Sequence, residues 1–260
     1  MNCSETPRKM MYDYRFFENG KKAGQLFYIK KMEGYSMYKK LSMSLLLTLG
    51  LFMAYVSSAS ALVNYGSVSG WMAQTGVDKI GFFGPSDIKL YLTKNSNWAM
   101  SDADFSTYVT HALSTWSSVT NKTSSTGTSS NYVMGFGGIG RSDADSLGYP
   151  SNALGATAWT SSTQYGYGTA YSGTVSFNVY SISRSFAHMI WDTSGVGQTS
   201  NLTANAWKNV FAHEHGHGLG YSGHSANSTK DLMWESTLSY TDWGTIGPTT
   251  YDQGHMNIVY

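Results

Sequence analysis

His213, Glu214 and His217 constrain this chain more than any other feature in it. Trp207, Val210 and Phe211 lead into them as one apolar side, and the pattern predicts a helix from about residue 202 to 219. Four helical residues turn through about 400°, so the two imidazoles point the same way, about one turn apart. They offer two nitrogens to one tetrahedral metal ion such as zinc, and Glu214, about 100° round from His213, flanks that ion. Zinc lowers the pKa of a bound water towards about 7, where a carboxylate can take its proton. His215 points about 200° away from His213 and is read as structural. Gly216 and Gly218 each cost the helix up to about 1 kcal/mol relative to alanine, which predicts close packing against another segment. Gly220 ends the helical pattern, and a left-handed turn there brings His224 back as a third ligand, with a fourth position left for water.

The rest of the chain fits one α+β domain. Residues 88–93 alternate apolar and polar and predict a strand. Ser101 and Asp104 open a helix over 102–120, with Phe105, Val109, Ala112, Trp116 and Val119 at helical spacing. The Ser/Thr-rich stretch 121–131 reads as a loop, 132–136 as a short strand, and 141–149 as a polar loop. Residues 153–160 predict a strand, as do Val175, Phe177 and Val179 with their polar neighbours; 161–173 reads as a connection. A short helix over 251–260 closes the chain. No internal repeat and no linker stands out.

Residues 1–61 carry nine Lys and Arg against four Asp and Glu, a net +5; residues 62–260 carry eight against twelve, a net −4. The larger piece is mildly acidic and lacks the basic patch of a nucleic-acid binder. Lys39 and Lys40, the apolar run Leu41 to Val56, and the small residues Ser57 to Ala61 form the three regions of a signal peptide, with cleavage expected after Ala61. Residues 1–36 lack periodicity, and Glu33-Gly34 is encodable by a purine-rich, ribosome-binding-like stretch before Met37. Translation from Met37 is therefore expected, which implies a bacterial source. The domain plan is an extension at 1–36, a signal peptide at 37–61 and one domain at 62–260. The expected product is secreted and extracellular, a Gram-positive source being one option, with no lasting membrane association. The sole cysteine, Cys3, lies in the excluded extension, so neither disulfides nor cysteine metal sites support the domain.

The segment from Ala212 to Gly220, followed by Gly223-His224-Ser225, resembles the metzincin signature, most closely its matrixin branch. Asp231-Leu232-Met233-Trp234 resembles the Met-turn of that family, with Met233 beneath the metal. The strand at 88–93 and the helix ending at Trp116 are similar to the start of matrixin domains. Gly148-Tyr149-Pro150 through Leu154, Gly155, Ala156, Thr157 and Ala158 resembles the loop and edge strand lining their substrate cleft. The resemblance implies a twisted mixed sheet of about five strands, an active-site helix, a backing helix and a small C-terminal subdomain. It implies a zinc endopeptidase acting on a protein or peptide substrate, monomeric, with Glu214 as general base and His213, His217 and His224 as ligands. One departure bears on the site: the family's third ligand falls ten residues after the first histidine, here Gly223, so His224 implies a one-residue insertion. Glu235 and Asp231 are acidic alternatives for that ligand. Asp143 and Asp145 are candidate calcium ligands, set against a solvated acidic loop. No structural-zinc histidines are found within 140–160. A secreted binding or adhesion module without turnover, and a zinc hydrolase of cell-wall peptide, are the competing functions.

Overall fold

The computed structural model describes residues 62–68, 79–84, 87–120, 124–170, 175–193, 199–236 and 238–260. The expected leader and extension lie outside them. Among the described residues seven strands form one mixed sheet: β1 (Val63–Val68), β2 (Lys79–Phe82), β3 (Ile88–Lys94), β4 (Ser124–Thr126), β5 (Met134–Gly140), β6 (Gly155–Ala170) and β7 (Val175–Trp191). Their order is β1-β6-β7-β5-β3-β4, with β2 also on β7. Only β6 runs antiparallel to its neighbour β7; the other pairings, including β1 with β6, are parallel. β5 pairs with Ser185–Trp191 of β7 and β2 with Asn178–Ser181, so the two share one edge of that long strand.

The expectation of about five strands is thus corrected to seven. β6 continues to Ala170, through most of the stretch read as a connection, because Tyr165, Gly166, Tyr167 and Gly168 still alternate outward and inward. β1, whose exposure does not alternate, and the short β2 and β4 carry no readable period of two, and β4 lies in the stretch 121–131 read as a loop. Residues 141–146 form a helical turn, α3 (Arg141–Ser146), where a loop was expected.

The 102–120 helix is two pieces, α1 (Asp102–Thr115) and α2 (Ser117–Thr120). Ser101 caps α1, its Oγ accepting from the Asp104 N–H at 3.1 Å, with Asp102 and Asp104 at the positive end of the helix. Phe105, Tyr108, Val109 and Ala112 form its buried face. The break falls at Trp116, whose buried indole N–H donates to the carbonyl of Ala212 at 2.8 Å. That bond ties the backing helix to α4 (Ala204–Leu219), which Thr203 caps and Gly220 ends in the left-handed region at φ 116°. Phe211 of α4 meets Phe105 edge-on at 5.3 Å and stacks over Phe136 of β5 at 6.4 Å, joining helices and sheet in one core. Aromatic pairs of this kind add about 0.5–1.5 kcal/mol each beyond the area they bury.

β5 is rich in glycine because rings occupy the space its side chains would fill. A Cβ on Gly135 or Gly137 would lie 2.3 or 2.6 Å from the ring of Phe186, and one on Gly138 would lie 2.6 Å from Trp98. Residues after α4 contribute α5 (Leu238–Thr241) and α6 (Thr250–Met256) and no strand of the sheet. No helix among the described residues is long and apolar enough to cross a membrane.

Candidate metal centre and cleft

Helix α4 presents His213 and His217 one turn apart, their rings 4.7 Å between centroids. Each ring is oriented by a backbone carbonyl. His213 Nδ1–H donates to Leu232 O at 2.7 Å, and His217 Nδ1–H donates to Tyr221 O at 2.6 Å. A carbonyl only accepts, so these bonds fix the proton on Nδ1 and leave the Nε2 lone pairs free. In neutral rings of that tautomer the two Nε2 atoms face each other at 3.0 Å as acceptors. Two converging lone pairs repel unless a cation lies between them and a further donor. His224 supplies that donor, its ring 5.4 Å from His213 and 5.0 Å from His217. Ligand nitrogens of the three lie within 4.8 Å of one another, close enough to hold a metal ion.

Burial supports the same chemistry. It pushes His213 down to about 4, helped by the neighbouring His224 and opposed by the Leu232 bond. It pushes His217 well below its ordinary value and lowers His224, against the pull of Glu235. All three are therefore neutral near pH 7, the form that binds metals. His215, buried against Phe136 and pushed down to about 3, has no hydrogen-bond partner for Nδ1 and takes no part in the centre.

The two acidic alternatives for the third ligand are placed elsewhere. Asp231 is buried and accepts from Ser225 Oγ at 2.6 Å, Asn227 Nδ2 at 3.2 Å and Thr249 Oγ1 at 3.0 Å. Glu235 is exposed at the rim of the cleft and outside the ligand group. The Gly220–Ser222 turn that leads to His224 packs on β2, where Tyr221 bridges to Ile80.

The close packing expected at the helix glycines has named partners. A Cβ on Gly216 would lie 2.4 Å from Met233 Sδ and 2.7 Å from Trp116, so the fully buried Met233 packs against the helix turn between His213 and His217. Gly218 faces Met134 and Ser185, and Gly220 faces the backbone of Gly81.

Glu214 is buried and held by β6. Thr157 Oγ1 donates to Glu214 Oε2 at 2.6 Å, and the Cγ and Oε1 of Glu214 occupy the space a side chain at Gly155 would need. Burial pushes Glu214 up to about 7, against that hydrogen bond. A cavity of about 650 Å³ opens over these groups, lined by Leu154, Gly155, Ala156 and Thr157 of the β6 side, by Val210 of α4, and by Trp234 to Ser236. Ala158 sits next along β6, exposed. The outer edge of β6 has no strand partner over residues 155–160 among the described residues, whereas β1 covers Gly166–Ala170.

Neither known family models nor characterised protein sequences match this chain.

The candidate calcium ligands are engaged with protein partners: Asp143 accepts from Asn95 Nδ2 at 3.0 Å, and Asp145 pairs with Arg141 at 2.9 Å. Sequence reasoning missed the groups that orient the site. Leu232 and Tyr221 act through backbone carbonyls, which no side-chain pattern reports. Asp252 of α6 holds the Met233 turn, accepting from Leu232 N at 2.8 Å and Met233 N at 3.3 Å. Its one visible signal is the Thr249-to-Asp252 capping-box spacing that starts its helix.

Proposed function

We propose that this protein is an exported zinc-dependent endopeptidase of matrixin-like type. The observation that carries the reading is the convergence of two deprotonated Nε2 atoms and His224 beside a buried glutamate, in a cleft with an open strand edge. Three neutral imidazoles suit zinc, and three protein ligands leave a position for water, as a hydrolytic site needs. Zinc at these histidines would polarise the scissile carbonyl and acidify the attacking water.

The chain's own groups do the rest. Glu214 takes a proton from the attacking water and returns it to the leaving amine. Its upward-pushed pKa lies close to operating pH, which favours both halves of that task, and a cation on the histidines pulls it back towards the ionised form. Thr157 orients the carboxylate, and Gly155 leaves it room. An extended peptide adds to the edge of β6 over residues 155–160 by main-chain hydrogen bonds, with its side chains alternating into the cavity and out to water. The mixed sheet with its antiparallel β6–β7 pair beside the cleft, the backing helix and the Met233 turn support the matrixin-like reading. The mildly acidic domain and the signal-like residues 37–61 support export.

Purified protein should carry one zinc per chain and cleave an unfolded protein substrate in a chelator-sensitive way. Glu214→Gln should keep the zinc and lower kcat/KM by about 10²–10⁴-fold. Undiminished cleavage by that variant, or folded wild-type protein that takes up no zinc, would overturn the assignment. The second outcome would leave the non-catalytic binding module in its place.

A further inference from the structure

β2 joins the sheet along only four residues, yet it touches the metal centre through the turn that follows α4. One side of β2 pairs with β7, from Lys79 opposite Asn178 to Phe82 opposite Ser181. The other side meets the Gly220–Ser222 turn. Gly81 N–H donates to Gly220 O at 2.8 Å, Ile80 forms an antiparallel bridge with Tyr221, and Ser222 Oγ donates to Lys79 O. The two backbones approach so closely that both positions require glycine. A Cβ on Gly220 would lie 2.3 Å from Gly81 O, and one on Gly81 would lie 2.8 Å from Gly220 Cα and 2.3 Å from Ile182 Cδ1. Tyr260 closes the same corner, its hydroxyl donating to Leu219 O at 2.7 Å and accepting from Phe83 N–H at 3.1 Å.

The turn so gripped is the one on which the third ligand depends. Tyr221 O fixes the tautomer and direction of His217, and the backbone from Tyr221 runs in three residues to His224. We propose that β2 is a positioning strand for the metal centre: by docking on the Gly220–Ser222 turn it holds two of the three ligands in place. This rests on the metal-binding reading above. Six residues separate His217 from His224, and a free turn of that length has many conformations to lose before three nitrogens converge, a cost that such a grip lowers. The carbonyls that orient ligating histidines matter nearly as much as the ligands, with losses of about 10–100-fold in metal affinity when they are disturbed.

The test is zinc affinity by competition with a chromogenic chelator, alongside the visible spectrum of the cobalt-substituted protein and the melting temperature. Gly81→Ala should weaken zinc binding by about 10–100-fold and shift the cobalt bands. Tyr260→Phe, which keeps the ring and removes the hydroxyl, should move both readouts in the same direction by less. Gly168→Ala serves as the control. Its Cβ would meet Phe177 at 2.6 Å in the same sheet, away from the centre, so it should lower the melting temperature and leave zinc affinity and spectrum unchanged. Should Gly81→Ala fail to fold, Tyr260→Phe decides. Wild-type affinity and spectrum in the folded variants, or an equal loss in Gly168→Ala, would overturn the positioning role. Wild-type protein that binds no zinc would instead overturn the metal site itself.

Discussion

Asp252 lies outside the three-histidine group and the lining of the cleft, yet its two oxygens organise the floor of the site. They accept from Leu232 N, Met233 N and Thr249 N. Leu232 in turn orients His213. Burial pushes Asp252 up to about 6 from 3.8, with Asp231 adding to the shift and the bonds from Thr249 and Leu232 opposing it. The folded chain therefore binds this proton more tightly than the unfolded chain. The stability Asp252 contributes is complete below about pH 4, falls as pH rises to about 6, and is constant above. Asp252→Ala, which strands buried N–H groups, should cost about 3 kcal/mol near pH 4 and less near pH 7. Urea unfolding across that range checks it, and a deficit that grows with pH would contradict it. At this scale His213, Glu214, His217 and His224 were legible because their chemistry sits in their own side chains at fixed spacing. The second tier was not: Leu232 and Tyr221 act through carbonyls that every residue carries, and Thr157 stood out only as part of a strand.

Glycines decide the elements around the site, and they cut in opposite directions. Gly216 lies in α4 against Met233 and Trp116, whereas Gly254 lies in α6 with nothing within 4 Å of a Cβ. Alanine is the better helix former by about 1 kcal/mol at both. Gly254→Ala should therefore stabilise by up to about 1 kcal/mol, while Gly216→Ala should destabilise by about 1–3 kcal/mol through overpacking. Chemical unfolding of the two variants gives the signs directly. The same residue type obscured β5 in the sequence. Glycine is depleted in strands, so only Tyr132 to Phe136 read as one, and the run to Gly140 became visible only once Phe186 and Trp98 were seen to fill it. α1 and α4 were legible from cap residues and apolar spacing. The break between α1 and α2 was not, because it serves a bond from Trp116 to a helix 96 residues away in sequence.

Across the described residues, the core that joins both helices to the sheet is built from apolar side chains such as Phe105, Phe136 and Phe211 and not from the three convergent histidines. Removal of metal by chelator should thus leave a cooperatively folded protein. Its melting temperature should fall by about 10 °C relative to protein in excess zinc, since a ligand at a thousandfold its Kd contributes about 4 kcal/mol. Calorimetry of the two forms measures the difference, and loss of the cooperative transition would show instead that folding needs the metal. Fold class was legible at this scale from the succession of strands and helices. The number of strands was not, since β1 and β2 are defined by what they pair with and not by any period of their own.

The edge of β6 is closed by β1 at one end and open at the other. An open edge does not distinguish a foreign chain from a sibling: unpaired N–H and C=O groups accept any extended chain. Every copy of this protein that is still unfolded is thus a competitor for the grooves of copies already folded. Crowding of unfolded copies against that edge lowers solubility, and whatever fills the edge restores it.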